Sequence, residues 1–283
     1  MGFGTAFMAD CVRECVLMAE VKEGSVHLGA YQMDYITFGK GEKNLIILPG
    51  LTMREFKGSG KMLASMYRLF SEEYRVYVFD KRNPLDENTD IRMLADDVAD
   101  AMDILKIPSA SLFGVSMGGM IAQYLCIYHP QKIEKAVFAV TTCKSDPAFE
   151  KLISRWCDLA ARNAFGEIMQ DYLMANYSAA KIKQYRYLMP VLTKMMKISD
   201  PSRFIAMARV CLTADCENEL PLIQCPVLVL GGMQDHVVGT EGSYAIVRKL
   251  HCPFYMYPEY GHAAYEEAKD FNQRVYEFLK SPS

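Results

Sequence analysis

The sequence predicts an α/β fold: a mostly parallel sheet of eight strands with helices on both faces. Three observations predict it. Short β-rich apolar runs alternate with longer stretches of helical periodicity through most of the chain. The strand runs are compact and apolar, as strands buried on both faces are. One of them, Ser111–Val115, passes at once into a helix through Gly114-Val115-Ser116-Met117-Gly118, followed by Gly119.

In chain order, Val26–Tyr31 and Asp34–Phe38 read as an opening pair of strands, a hairpin in form. Asn44–Leu48 is an apolar strand ending in Pro49-Gly50. Lys61–Phe70 carries a helical pattern, and Tyr74–Phe79 is a strand ending at Asp80. Ile91–Leu105 places Leu94, Val98, Met102 and Leu105 on one stripe, with Asp90 or Thr89 as the cap. After Ser111–Val115, a helix runs from Ser116 to Tyr128, and Ala136–Val140 is the next strand. Val227–Leu230 and Phe254–Tyr257 complete the sheet, each followed by a helix, the last from Ala264 to Leu279.

The alternation breaks between residues 145 and 220. That interval holds four helical patterns, Phe149–Asn163, Phe165–Tyr177, Ala179–Thr193 and Pro201–Ala214, and reads as a helical cap over the carboxyl ends of the strands. Its Met169, Met174, Met189, Met195, Met196 and Met207 read as core filler. The expected organisation is an N-terminal extension at 1–24, a core formed by 25–144 and 221–283, and the cap at 145–220. In the extension, Phe7, Cys11 and Cys15 give a helical stripe that reads as a surface helix packed on the domain. Charges at Asp10, Arg13, Glu14 and Glu20 interrupt the apolar start, unlike a signal peptide or membrane span.

Composition narrows the function. The 283 residues suffice for one large domain, and 51% apolar with 23% charged residues is ordinary for a globular protein. A net charge of -3 supplies no basic field, so neither nucleic acid nor anionic membrane is an expected partner. The nine cysteines form no Cys-x-x-Cys pair and no metal-ligand spacing with histidine. They read as reduced thiols in a cytoplasmic protein that binds no metal.

Gly114–Gly118 matches Gly-x-Ser-x-Gly in its strand-to-helix context. A serine on that sharp turn is held in strained backbone geometry, and small neighbours avoid clashes. Its hydroxyl needs a base. Among five histidines, His262 lies in the loop after the last strand, at the carboxyl edge shared with Ser116. His129 and His251 fall at the opposite edge, His27 lies in the first strand, and His236 adjoins the better acid. That acid is Asp235, in the loop after the penultimate strand, which completes the order serine, acid, histidine. Asp146 is the rival acid. Asp80 reads as an anchor for its loop with Lys81 and Arg82. Backbone N–H groups of Met117 and of Leu51, in the loop after Asn44–Leu48, are the expected oxyanion donors.

With these residues in place, the chain resembles the α/β-hydrolase family, and within it the lid-bearing esterase, enol-lactonase and cofactor-free haloperoxidase-like branch. The resemblance spans residues 25 to 280. Its matching features are Pro49-Gly50, Asp80-Lys81-Arg82, Ala95-Asp96-Asp97, Gly114–Gly119, Asp235 and Gly261-His262. Two departures stand out: relatives commonly carry His-Gly in place of Pro49-Gly50, and Ala263, Ala264 and Tyr265 replace the tryptophan of carbon–carbon-bond hydrolases. A serine at the elbow also differs from the aspartate of haloalkane dehalogenases and epoxide hydrolases. The resemblance implies a serine acyl-enzyme mechanism with no cofactor. The expected substrate is a small, largely apolar ester or lactone. The same residues serve an acyltransferase, and a receptor-like binder on this scaffold is the reading from another class.

Overall fold

The computed structural model describes residues 21–53, 56–185, 187, 191 and 198–282. The stripe at Phe7, Cys11 and Cys15, with Met189, Met195 and Met196, lies outside the described residues. Eight strands form one sheet in the order β1-β2-β4-β3-β5-β6-β7-β8. They are β1 (Lys22–Leu28), β2 (Tyr31–Phe38), β3 (Lys43–Leu48), β4 (Tyr74–Phe79), β5 (Ala110–Val115), β6 (Ile133–Ala139), β7 (Val227–Gly232) and β8 (Phe254–Tyr257). β1 and β2 are antiparallel, as are β2 and β4; β4, β3, β5, β6, β7 and β8 run parallel.

The opening hairpin turns at Gly29-Ala30, where Gly29 has φ +64°. β1 therefore starts earlier than its apolar pattern, within the segment read as an extension. The reason is that Lys22–Ser25 pair through backbone groups while their side chains stay mostly in solvent, leaving no apolar signal.

Helices cover both faces. α1 (Gly60–Met66), α9 (Ala264–Glu267) and α10 (Phe271–Lys280) pack on one side; α2 (Ile91–Ile104), α3 (Met117–Tyr128) and α8 (Glu241–Leu250) on the other. Strand alternation divides the core between them. Leu45, Ile47, Val76, Val78, Phe113 and Val115 point to the first layer, and Ile46, Leu48, Tyr77, Phe79 and Leu112 to the second. Asp90 caps α2 by accepting the Met93 N–H at 2.8 Å. The last helix is two pieces rather than one. Ala268 is extended (ψ 116°), and this break lets Phe271, Val275 and Leu279 turn under the sheet while α9 stays at its edge.

Between β6 and β7 the chain leaves the sheet for α4 (Pro147–Ala161), α5 (Phe165–Asn176), α6 (Ala179–Tyr185) and α7 (Pro201–Cys211). Met169 and Met207 are buried among these helices, whereas Met174 is half exposed and fills no core. The excursion closes on itself at its base. Cys216 N–H donates to Cys143 O (2.9 Å), Ser145 N–H donates to Ala214 O (3.0 Å), and Lys144 bridges Asp215 as a short antiparallel pair.

Candidate active site

Ser116 occupies the turn between β5 and α3 with φ 54° and ψ -119°, a region that L-residues rarely adopt. The surroundings hold it there. Its N–H donates to Ala139 O at 2.9 Å, and the Thr141 hydroxyl donates to its carbonyl at 2.8 Å. The glycines explain how the turn fits. A Cβ on Gly118 would stand 1.8 Å from Leu48 O, and one on Gly114 would stand 2.5 Å from Gly118 O. Only bare α-carbons let α3 lie this close to β3 and β5.

His262 Nε2 lies 2.9 Å from Ser116 Oγ, and His262 Nδ1 lies 2.8 Å from Asp235 Oδ2. Both His262 (4% exposed) and Asp235 (7%) are shielded from bulk water, so their interaction is little screened. Asp235 Oδ1 accepts the N–H groups of Val237 (2.8 Å) and Val238 (3.0 Å), which fixes the carboxylate plane. The loops after β7 and β8 touch directly at Gly232, where a Cβ would meet Gly261 O at 2.2 Å. Gln234 N–H donates to Tyr260 O (3.0 Å), and Ala263 N–H donates to Asn176 O (2.8 Å). The histidine loop is thus tied to α5 as well as to β7, a contact with no sequence signal.

The other histidines stand elsewhere. His129 Nε2 pairs with Asp96 (2.8 Å) beyond the far end of α3; His27, His236 and His251 are exposed. Asp146 caps α4, accepting the N–H groups of Ala148 and Phe149, both at 2.8 Å.

Asp80 does not anchor its loop through Lys81 and Arg82. Its carboxylate pairs with Arg203 of α7 at 3.0 Å, because Arg203 reaches over the loop to bind Arg82 O (2.8 Å) and Lys81 O (3.0 Å) as well. Arg82 instead forms a two-pronged, buried pair with Asp97 of α2 at 2.5 and 2.6 Å. Lys81 donates to Pro49 O and Gly50 O, both at 2.8 Å.

Leu51 follows Gly50 in the loop above the serine; a Cβ on Gly50 would approach Ser116 Cβ to 3.1 Å. Met117 is the first residue of α3, so its N–H has no acceptor within the helix. A cavity of about 40 Å³ opens at Ser116 and His262. Leu51, Met53, Met120, Phe149, Ile153, Trp156, Tyr172 and Tyr265 give it an apolar wall, with Asn176, Cys211 and Val237 completing it. Phe149, Ile153 and Trp156 are one stripe of α4. Tyr177, by contrast, donates its hydroxyl to Glu266 at 2.5 Å, and neither it nor Phe165 lines the cavity. Burial pushes the Cys211 thiol up to about 12, so it is protonated at neutral pH and is no rival nucleophile.

A family model described as the alpha/beta hydrolase fold matches residues 43–269. The chain belongs to the α/β hydrolase fold family. Among its relatives, this hydrolase is 24% identical over 258 residues to 3-oxoadipate enol-lactonase 2 of Acinetobacter baylyi, covering 88% of this chain and 93% of that one. It is 25% identical to the serine hydrolase BPHL of Mus musculus, covering 98% and 88%. The solved enol-lactonase from Burkholderia xenovorans LB400 shares the fold with a TM-score of 0.78 at 19% identity, covering 91% of this hydrolase and all (100%) of that chain. Among the described residues, no helix is long and apolar enough to cross a membrane, and no group of three His, Cys, Asp or Glu is placed to hold a metal.

Proposed function

We propose that this protein is a serine hydrolase that cleaves an ester or lactone of a small, largely apolar substrate through an acyl-enzyme. The single observation that carries the reading is the continuous chain Ser116 Oγ, His262 Nε2, His262 Nδ1 and Asp235 Oδ2, with contacts of 2.9 and 2.8 Å. Ser116 Oγ attacks the carbonyl carbon while His262 takes its proton. Asp235 holds the tautomer and stabilises the imidazolium. The N–H groups of Leu51 and Met117 receive the oxyanion. His262 then returns the proton to the leaving alkoxide, and water activated by the same imidazole releases the acid. In a lactone the leaving alkoxide stays attached to the acyl group. The two enol-lactonases and the serine hydrolase among the relatives favour this substrate class.

The apolar wall of the cavity beside Ser116 favours a small, largely apolar acyl group. In this reading residues 145–220 act as a cap that shapes the acyl site, the segment before β1 takes no part in the chemistry, and the enzyme works in the cytoplasm on a free small molecule without cofactor or metal.

A fluorophosphonate probe tests the reading, with turnover of short-chain aryl esters measured alongside. Ser116 is expected to be the labelled residue, and Ser116→Ala to lose both labelling and turnover while keeping the fold. Labelling that persisted in a folded Ser116→Ala would sink it. Turnover in which an added alcohol or thiol captured most of the acyl group would reassign the enzyme as an acyltransferase.

A further inference from the structure

We infer that Lys81 is a positioning residue for the oxyanion site, holding the Pro49–Leu51 loop so that its N–H groups face the reacting carbonyl. The inference rests on the hydrolase reading of Ser116. Lys81 follows β4, is 4% exposed, and points its ammonium at two successive carbonyls, Pro49 O and Gly50 O, each at 2.8 Å. In a trans peptide the C=O and N–H point in opposite directions. Turning the Gly50 carbonyl toward Lys81 therefore turns the Leu51 N–H away from it, and turning the Pro49 carbonyl does the same for the Gly50 N–H. A Cβ on Gly50 would stand 3.1 Å from Ser116 Cβ and 3.6 Å from Ser116 Oγ, so the loop that Lys81 holds runs directly beside Ser116. A buried cation bonded to both carbonyls fixes this orientation.

Among the described residues, the ammonium's bonded partners are carbonyls and not a carboxylate. Asp80, its neighbour in sequence, is hydrogen-bonded to Arg203. Among the described residues, the charged and titratable groups facing Lys81 are Asp80, which follows β4, and Arg203 and Cys211 from α7. Burial, helped by the Arg203 charge, outweighs Asp80 and Cys211 and pulls the lysine down to about 8. As pH rises through that value, the amine loses the charge that strengthens both bonds, and the loop loosens in the range where a serine hydrolase otherwise stays active.

Lys81→Met tests this, because it keeps the length and removes the donors. Removing one oxyanion donor costs about 10²–10³-fold in kcat, so a donor that is present but unanchored is expected to cost about 10- to 100-fold. KM should stay within about threefold, since Lys81 does not line the cavity, whose wall apart from Gly50 and Leu51 lies off the loosened loop. The rate of fluorophosphonate labelling should fall alongside kcat, because the phosphonyl oxygen uses the same donors. Wild-type kcat should fall about threefold or more between pH 7 and 9.5, and the variant should lose that fall. A folded Lys81→Met with kcat within twofold of wild type, or with the same alkaline fall, overturns the inference. If the variant does not fold, the wild-type enzyme carries the test: a flat kcat profile from pH 7 to 9.5 overturns it, and a fall with a midpoint near 8 supports it. Wild-type protein that labels nowhere at Ser116 would instead defeat the underlying hydrolase reading.

Discussion

Asp235 Oδ2 lies 2.8 Å from His262 Nδ1, and both side chains are shielded from bulk water. An asparagine at 235 keeps the volume, removes the charge, and presents either an amide N–H or a neutral oxygen to the ring. The equivalent change in a serine protease lowers kcat by about 10⁴-fold. Asp235→Asn is expected to lower kcat by about 10³- to 10⁴-fold on an activated ester. Asp146→Asn should stay within about tenfold of wild type, because asparagine still caps α4. The reverse result would place the acid after the wrong strand.

Gly118→Ala addresses the elbow. Its new methyl would sit 1.8 Å from Leu48 O, so α3 or β3 must shift, and neither end of that contact is a flexible side chain. We expect a loss of about 3 kcal/mol or more, at the upper end of overpacking costs, together with a large fall in kcat as Ser116 and the Leu51 loop move apart. Gly29→Asn is the control: φ is +64° with open space around it, a setting that asparagine tolerates, so stability should change by about 0.5 kcal/mol or less. Denaturant melts of the two variants decide the matter.

If the proposed acyl-enzyme forms at Ser116, the wall formed by α4 sets the acyl length accepted. Ile153→Ala is expected to cost about 2–4 kcal/mol of stability and to enlarge the cavity beside Ser116. Each methylene accommodated is worth about 1–3 kcal/mol of discrimination. The kcat/KM ratio for a longer over a shorter acyl ester should therefore rise about tenfold or more. An unchanged ratio would mean that the acyl group lies elsewhere.

The fold and the meeting of Ser116, Asp235 and His262 were legible for one reason. Each of Ser116, Asp235 and His262 stands just beyond the carboxyl end of a parallel strand, and those strands announce themselves as compact apolar runs. Strand starts on the exposed edge were less visible, since Lys22–Ser25 pair through backbone alone. Least visible were contacts between side chains and distant backbone. Arg203 meets Asp80 from 123 positions away, with no periodic or motif signal to link them. Lys81 reads as one more charge in Asp80-Lys81-Arg82, although the three residues anchor to three different parts of the structure.

Stability should fall at high pH. Burial holds the Tyr67 and Tyr257 hydroxyls above the usual tyrosine range, and both residues are almost fully enclosed. The unfolded chain ionises these groups near pH 10 while the folded protein keeps their protons. Above about pH 10 the folded state therefore binds more protons, and unfolding free energy declines by about 1.4 kcal/mol per pH unit for each such group. Below pH 9 the two tyrosines should contribute no slope. Urea midpoints at pH 9, 10 and 11, read beside tyrosine absorbance, check this; a midpoint that rose from pH 10 to 11 would contradict it.

The pairing of Cys143, Lys144 and Ser145 with Ala214, Asp215 and Cys216 joins the two ends of the excursion where it leaves and rejoins the sheet. To β6 and β7, which are register neighbours, everything between those ends is a closed ring hung from one stitch. Residues within it can lengthen, shorten or be replaced without altering the distance the sheet must span. Ser116, Asp235 and His262 stand on strand-end loops outside that ring, and three of the cavity-wall residues come from α4 inside it. Contacts cross between ring and sheet edge, among them Asn176 O to the Ala263 N–H and Arg203 to Asp80 and the carbonyls of Lys81 and Arg82, so a relative's ring grafted onto this stitch has to carry these if it is to change the cavity wall and leave the loops around Ser116 in place.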